Sequence, residues 1–160
     1  MAETMLKVDN INVYYGNIHA VKDVSFEVNE GEIVTLIGAN GAGKSTTLNA
    51  IAGVWPIDSG KIIIDGTDIT NLPEHKRAKY LGRVFQDPMT GTAATMDIEE
   101  NMAIALRRGE KRTLRWGVSR EDRELFREKL QTLGLGLEDR MTSKVGLLSG
   151  GQRQAITLLM

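Results

Sequence analysis

Eight consecutive residues, Gly38-Ala39-Asn40-Gly41-Ala42-Gly43-Lys44-Ser45, constrain this chain more than any other feature of it. They fit the pattern glycine, four residues, glycine, lysine, then a hydroxyl residue, and each position has a physical task. Glycines let the backbone curl so that successive N–H groups converge on one point, an arrangement suited to phosphate oxygens. A helix expected from about Ser45 turns its positive end toward the same point. Lys44 adds a mobile charge for the outer phosphates, and the Ser45 hydroxyl can ligate magnesium. The competing reading is a glycine-rich turn between a strand and a helix, but a chance match is on the order of one in a hundred at average composition.

The surroundings agree with a phosphate loop. Ile33 to Ile37 is a short, mostly apolar run that reads as a buried strand. Ser45 to Ala52 contains no helix breaker, places Leu48, Ile51 and Ala52 on one face, and stops at Gly53. Upstream, Ile11, Val13 and Tyr15 alternate in the strand manner, as do Val24, Phe26 and Val28, with a turn at Asn29-Glu30-Gly31. Lys61 to Ile64 predicts a further strand closed by an Asp65-Gly66 turn. Glu74 to Tyr80 predicts a short helix with Pro73 at its start, and Arg83 to Phe85 a strand ended by Pro88.

Beyond this point the pattern turns helical. Asp97 to Arg108 and Ser119 to Leu133 both read as helices. The second is opened by a Ser119/Asp122 cap and carries Phe126, Leu130 and Leu133 on one face. A last helix is expected from Gln152 to Met160. It has no capping glycine, and Leu158, Leu159 and Met160 are side chains that ordinarily pack inward, which reads as a cut through an element.

Composition sets the outer limits. The chain has 160 residues with 41% hydrophobic and 26% charged side chains, the proportions of a globular protein. Its formal net charge of -1 argues against a dedicated nucleic-acid binder. The absence of cysteine excludes disulfides and thiolate metal sites and suits a reducing cytoplasm. The opening Met1 to Met5 has no signal-peptide character, and no run approaches the roughly 18 apolar residues of a membrane-spanning helix. A membrane connection would therefore run through a partner. Arg107 to Trp116 is locally basic with one tryptophan, but acidic residues follow closely, which favours a solvated loop over a nucleic-acid surface.

A second glycine motif, Leu148-Ser149-Gly150-Gly151-Gln152, precedes the last helix. Ser149 is a natural N-cap, and two glycines leave backbone donors open at a positive helix end. Alone, this is a common structural helix start. Beside a phosphate loop, it suggests a second surface that touches nucleotide phosphates.

The phosphate loop, then Val84-Phe85-Gln86-Asp87-Pro88, then Leu148 to Gln154, resemble the ATP-binding-cassette family in order, spacing and wording. The resemblance runs from Tyr15-Gly16 to the final helix, and Val24 to Val28 followed by Gly31-Glu32-Ile33 is similar to the opening of bacterial solute importers. It implies an α/β fold: a P-loop NTPase core with an antiparallel β subdomain over residues 1–88, a helical subdomain over 89–149, and the start of a post-signature helix over 150–160, incomplete at the C-terminus.

The resemblance also implies roles. ATP would lie on Gly38, Ala39, Asn40, Gly41, Ala42, Gly43, Lys44, Ser45 and Thr46, with Tyr15 stacked on adenine. Lys44 and Gln86 would act in catalysis, and Ser45 and Gln86 would hold Mg2+. Gln86 would also sit near the attacking water and report nucleotide state. Ser149, Gly150, Gly151 and Gln152 would meet ATP bound to a second nucleotide-binding subunit in a head-to-tail dimer. Residues 88–101 would meet integral membrane permease subunits, and a solute-binding protein would complete an importer at the inner face of the cell membrane.

The family's general base and switch histidine follow the signature helix and are not expected within this chain. His19 and His75 lie too early to serve and read as surface residues. The chain is accordingly expected to bind nucleotide with negligible hydrolysis, the full-length protein being the ATPase. The rival is a soluble cassette ATPase acting on DNA or ribosomes. DNA-repair members insert long coiled coils between the motifs, and the short interval from Gln86 to Leu148 shows no sustained heptads.

Overall fold

A computed structural model describes residues 3–87, 89–110 and 117–160. The chain divides into two compact units at Gly82/Arg83. Pro88, expected to end a strand, and the Lys111 to Trp116 part of the basic run lie outside the described residues.

The first unit is built on an antiparallel sheet of order β2-β1-β3-β4. Strands β1 (Thr4–Tyr15) and β2 (Ile18–Asn29) form a long hairpin, with Tyr15 opposite Ile18 at its tip. Strand β3 (Ser59–Ile64) pairs with the other edge of β1, and the Asp65-Gly66 turn leads into the short β4 (Thr67–Asp68). Alternation on either side of a bulge at Asn10 (φ 46°) decides which faces are buried: Val8, Ile11, Val13, Val21, Ile62 and Ile64 belong to the core of this unit. Helix α1 (Lys44–Ala52) packs on it through Ala50 and Ile51.

A short helix α2 (Glu74–Arg77), capped by Pro73, stops three residues before Tyr80, and residues 78–80 continue as turns. Its last residue, Arg77, is 3% exposed. The guanidinium donates to the carbonyls of Ala50, Ile51, Thr70 and Leu72 at 2.7–2.8 Å. A cation at the negative end of α1 both fits the helix dipole and satisfies carbonyls that the helix itself leaves open. Burial lowers the Arg77 pKa below its ordinary value.

The second unit contains helices α3 (Ile98–Leu106), α4 (Arg120–Gln131) and α5 (Gly150–Leu159). Their apolar faces meet over Ile98, Met102, Phe126, Leu130 and Ile156, with Leu133 packed at the margin. Full burial of one such side chain contributes roughly 1.5–3 kcal/mol. Both α3 and α4 begin with reciprocal capping boxes, Asp97 with Glu100 and Ser119 with Asp122. Asn101, 2% exposed, exchanges hydrogen bonds with both backbone groups of Ala93 and so ties the loop before α3 to its first turns.

Further sequence expectations are corrected. Ile33 to Ile37 is not a buried strand: it is irregular, with Ile33 93% and Ile37 91% exposed. Strand geometry needs a ladder partner, and this segment belongs to no strand pair among the described residues. Arg83 to Phe85 is likewise not a strand, for the same reason. Leu48 faces away from the core, because α1 buries Thr47, Ala50 and Ile51, the next stripe round the helix. His19 is half-buried, stacked on Tyr14 with ring centroids 4.1 Å apart and hydrogen-bonded to Asn12 at 2.7 Å. At the chain's end, Leu159 and Met160 pack on the helical core while Leu158 is exposed.

Candidate functional site

The phosphate-loop residues follow the irregular segment 33–37 and run into the first turn of α1. Helix α1 starts at Lys44, one residue earlier than expected, with Gly43 as its N-cap at φ 83°. A side chain there would be strained by that backbone, and its Cβ would lie 2.7 Å from the Ala20 carbonyl oxygen. The position is thus closed to any residue but glycine by conformation and by contact at once.

Within the loop, Ala42 N–H donates to the Ala39 carbonyl at 3.2 Å. The Lys44 ammonium folds back and donates to the carbonyls of Gly38 at 2.7 Å and Ala39 at 2.8 Å. Thr47 is buried and bonds the Gly43 carbonyl through its hydroxyl at 3.0 Å, pinning the first turn of α1. Residues 38–42 are exposed and so is Ser45, whereas Lys44 and Thr46 are half-buried. The arrangement is an open, glycine-lined backbone arc, a helix N-terminus and one ammonium held beside it.

Tyr15 reaches the same helix. Its hydroxyl donates to the Thr46 hydroxyl at 3.2 Å, and its ring meets the Trp55 ring edge to face at 4.6 Å and 64°. Trp55 escapes the reading of the sequence. Its signal is positional: it stands two residues after Gly53, where the end of α1 turns, and its N–H donates to the Asn49 carbonyl at 3.3 Å. The turn at the end of α1 fixes the backbone of Trp55, and its ring meets a residue that is far away in sequence.

The remaining expected site residues belong to the second unit. Gln86 is exposed, just ahead of an Asp87 turn in which the Asp87 carboxylate accepts from Met89 N–H at 2.8 Å. Ser149 caps α5: its hydroxyl accepts from Gln152 N–H at 3.3 Å, and the Gln152 side chain accepts from Ser149 N–H at 3.1 Å. A Cβ added at Gly150 or Gly151 would meet nothing within 4 Å, so the first turn of α5 presents bare backbone on an exposed face. Behind that face, Arg153 is 4% exposed and donates to the Gly146 carbonyl at 3.2 Å and to the Met89 sulfur. Among the described residues no group of three or more His, Cys, Asp or Glu side chains is placed to hold a metal ion.

Comparison with known proteins adds an independent line. Residues 21–160 match the family description "ABC transporter". The chain is 38% identical over 161 residues to the tyrosine transport ATP-binding protein of Clostridioides difficile, covering 98% of this chain and 64% of that protein. It is 34% identical to the high-affinity branched-chain amino acid transport ATP-binding protein BraG of Pseudomonas aeruginosa, covering 96% of this chain and 62% of that protein. Among solved structures, the ADP conformation of MJ1267, an ATP-binding cassette of an ABC transporter, superposes with a TM-score of 0.77 at 31% identity, covering 98% of this chain and 63% of that one. The chain thus spans a little under two thirds of the length of these relatives.

Proposed function

The chain belongs to the ABC transporter family, and from that premise we propose that it is the ATP-binding part of an importer subunit that works through separate membrane proteins. The observation that carries the proposal is the loop at Gly38 to Ser45, where a glycine-shaped backbone, a helix N-terminus and the Lys44 ammonium lie together. That set of groups recognises a polyphosphate by charge and by N–H donation.

In this reading ATP lies with its phosphates over residues 38–46 and its base at Tyr15. Lys44 leaves the Gly38 and Ala39 carbonyls and turns its ammonium to the outer phosphates, where negative charge grows during transfer to water. Ser45 offers a hydroxyl, a hard donor that suits magnesium, and the family resemblance adds the Gln86 amide oxygen. Magnesium, when bound, would draw charge from the phosphoryl oxygens. Gln86 orients water and relays the state of the site. Ser149, Gly150, Gly151 and Gln152 serve the ATP of a second copy in a head-to-tail dimer, and their bare exposed backbone supports that role.

The wider setting follows the importer reading. Permease subunits would dock at residues 88–101, a solute-binding protein would deliver the solute, and the ATPase would sit at the cytoplasmic face of the membrane. No helix among the described residues is long and apolar enough to cross a membrane itself. The names of the tyrosine and branched-chain amino acid relatives agree with an amino acid or a related small solute. For these 160 residues alone we propose nucleotide binding with negligible turnover.

A magnesium-ATP titration of this chain beside Lys44→Ala, both checked for folding by circular dichroism, tests the proposal. Saturable binding that the variant loses supports it. A folded wild type that binds no ATP refutes it, and robust Lys44-dependent turnover refutes the expectation of an inactive chain.

A further inference from the structure

Trp55 is a surface aromatic residue that neither the phosphate motif nor the second glycine motif accounts for. It is 39% exposed, as is Tyr15 at 37%, so both rings of the pair keep open surface. The Tyr15 ring is fixed at two points: its hydroxyl on Thr46 in the first turn of α1, and its ring on Trp55 beyond the last turn. Trp55 is in turn set by the end of α1, where Val54 and Trp55 N–H groups both donate to the Asn49 carbonyl. One helix therefore carries the phosphate loop at its start and an aromatic corner tied to both its ends.

We infer that Tyr15 and Trp55 together form a two-ring shelf for a purine base, with Trp55 both fixing the pitch of Tyr15 and supplying the second apolar wall. The inference rests on the nucleotide reading of the phosphate loop and deepens it. Two rings inclined at 64° form a corner rather than a flat stack. A base laid on one ring brings its edge toward the other, and the larger two-ring bases gain more contact in such a corner than pyrimidines. Selection here rests on area and π contact, with the Tyr15 hydroxyl already engaged on Thr46. Trp55 is a positioning and specificity residue, with no part in phosphate chemistry.

The test separates base from phosphate. Affinities for magnesium-ATP and for magnesium-tripolyphosphate, which has no base, are measured on the full 160-residue chain and on Trp55→Leu and Trp55→Phe. The expected result is that Trp55→Leu weakens ATP about fivefold while Trp55→Phe stays within about twofold, on the scale of an aromatic pair. Tripolyphosphate binding is unchanged in both variants. The inference is overturned if Trp55→Leu binds ATP as wild type does, or loses ATP and tripolyphosphate by the same factor. A wild type that binds ATP no better than tripolyphosphate removes the base shelf and leaves the phosphate site standing. A wild type that binds neither removes the nucleotide reading itself, and the shelf with it.

Discussion

The Lys44 ammonium donates to the Gly38 carbonyl at 2.7 Å, so the single cation of the phosphate loop is held by the loop's own backbone. A polyphosphate must outcompete that contact. A hydrogen bond to a charged group has a net worth of roughly 1.5–3 kcal/mol, so Lys44→Ala should weaken ATP binding about tenfold to a hundredfold. Isothermal titration against wild type measures it, and an unchanged affinity would place the phosphates elsewhere.

The two left-handed glycines of the loop should respond differently. Gly41 stands at φ 86° with nothing within 4 Å of an added Cβ, whereas Gly43 at φ 83° faces the Ala20 carbonyl oxygen at 2.7 Å. Gly41→Ala therefore carries backbone strain alone, about 1 kcal/mol, while Gly43→Ala adds a clash and should lose about 3 kcal/mol. Urea unfolding of the two variants gives the comparison directly, and equal losses would contradict it.

Arg77 should be a stability residue. Removing its guanidinium leaves the Ala50, Ile51, Thr70 and Leu72 carbonyls without their buried donor. Arg77→Met should cost about 3 kcal/mol, and Arg77→Lys should recover only part, since an ammonium does not reproduce the planar fork. The readout is the urea midpoint.

Acid should loosen the start of α4. The Asp122 carboxyl is held below the usual carboxylate range, first by the Ser119 N–H and then by its Arg107 partner. A carboxylate with a lowered folded pKa stabilises above its unfolded pKa, and that contribution fades as pH falls through the folded value. Stability from Asp122 should therefore be full above about pH 4 and lost below it. Asp122→Asn should be less stable than wild type near neutrality, with the gap closing in acid, as measured by urea unfolding across that range.

What could be read from the sequence was what is local. The Ser119/Asp122 cap, the alternation in β1 and β2 and the Asp65-Gly66 turn depend on neighbours a few residues away, and each stands where the pattern puts it. The lysine and glycines of the phosphate loop are legible because the spacing itself encodes the backbone curl. Ile33 to Ile37 was misread because an apolar run states a preference, while a strand is a property of two segments. Arg77 and Trp55 were missed for a related reason: each acquires its meaning from α1, 20 to 30 residues earlier for the arginine and from distant Tyr15 for the tryptophan.

The exposed segment from Ile33 to Ile37 has a practical consequence for handling the isolated chain. It joins β-branched residues, a backbone in no strand pair among the described residues and no internal charge, the features that let one molecule template another through edge-to-edge pairing. Solubility of this chain should then be limited by concentration more than by thermal stability, with self-association seeded at these five residues. A charge placed at Ile33 or Ile37 should act as a gatekeeper, raising the concentration at which light scattering begins while leaving the sheet of the first unit intact.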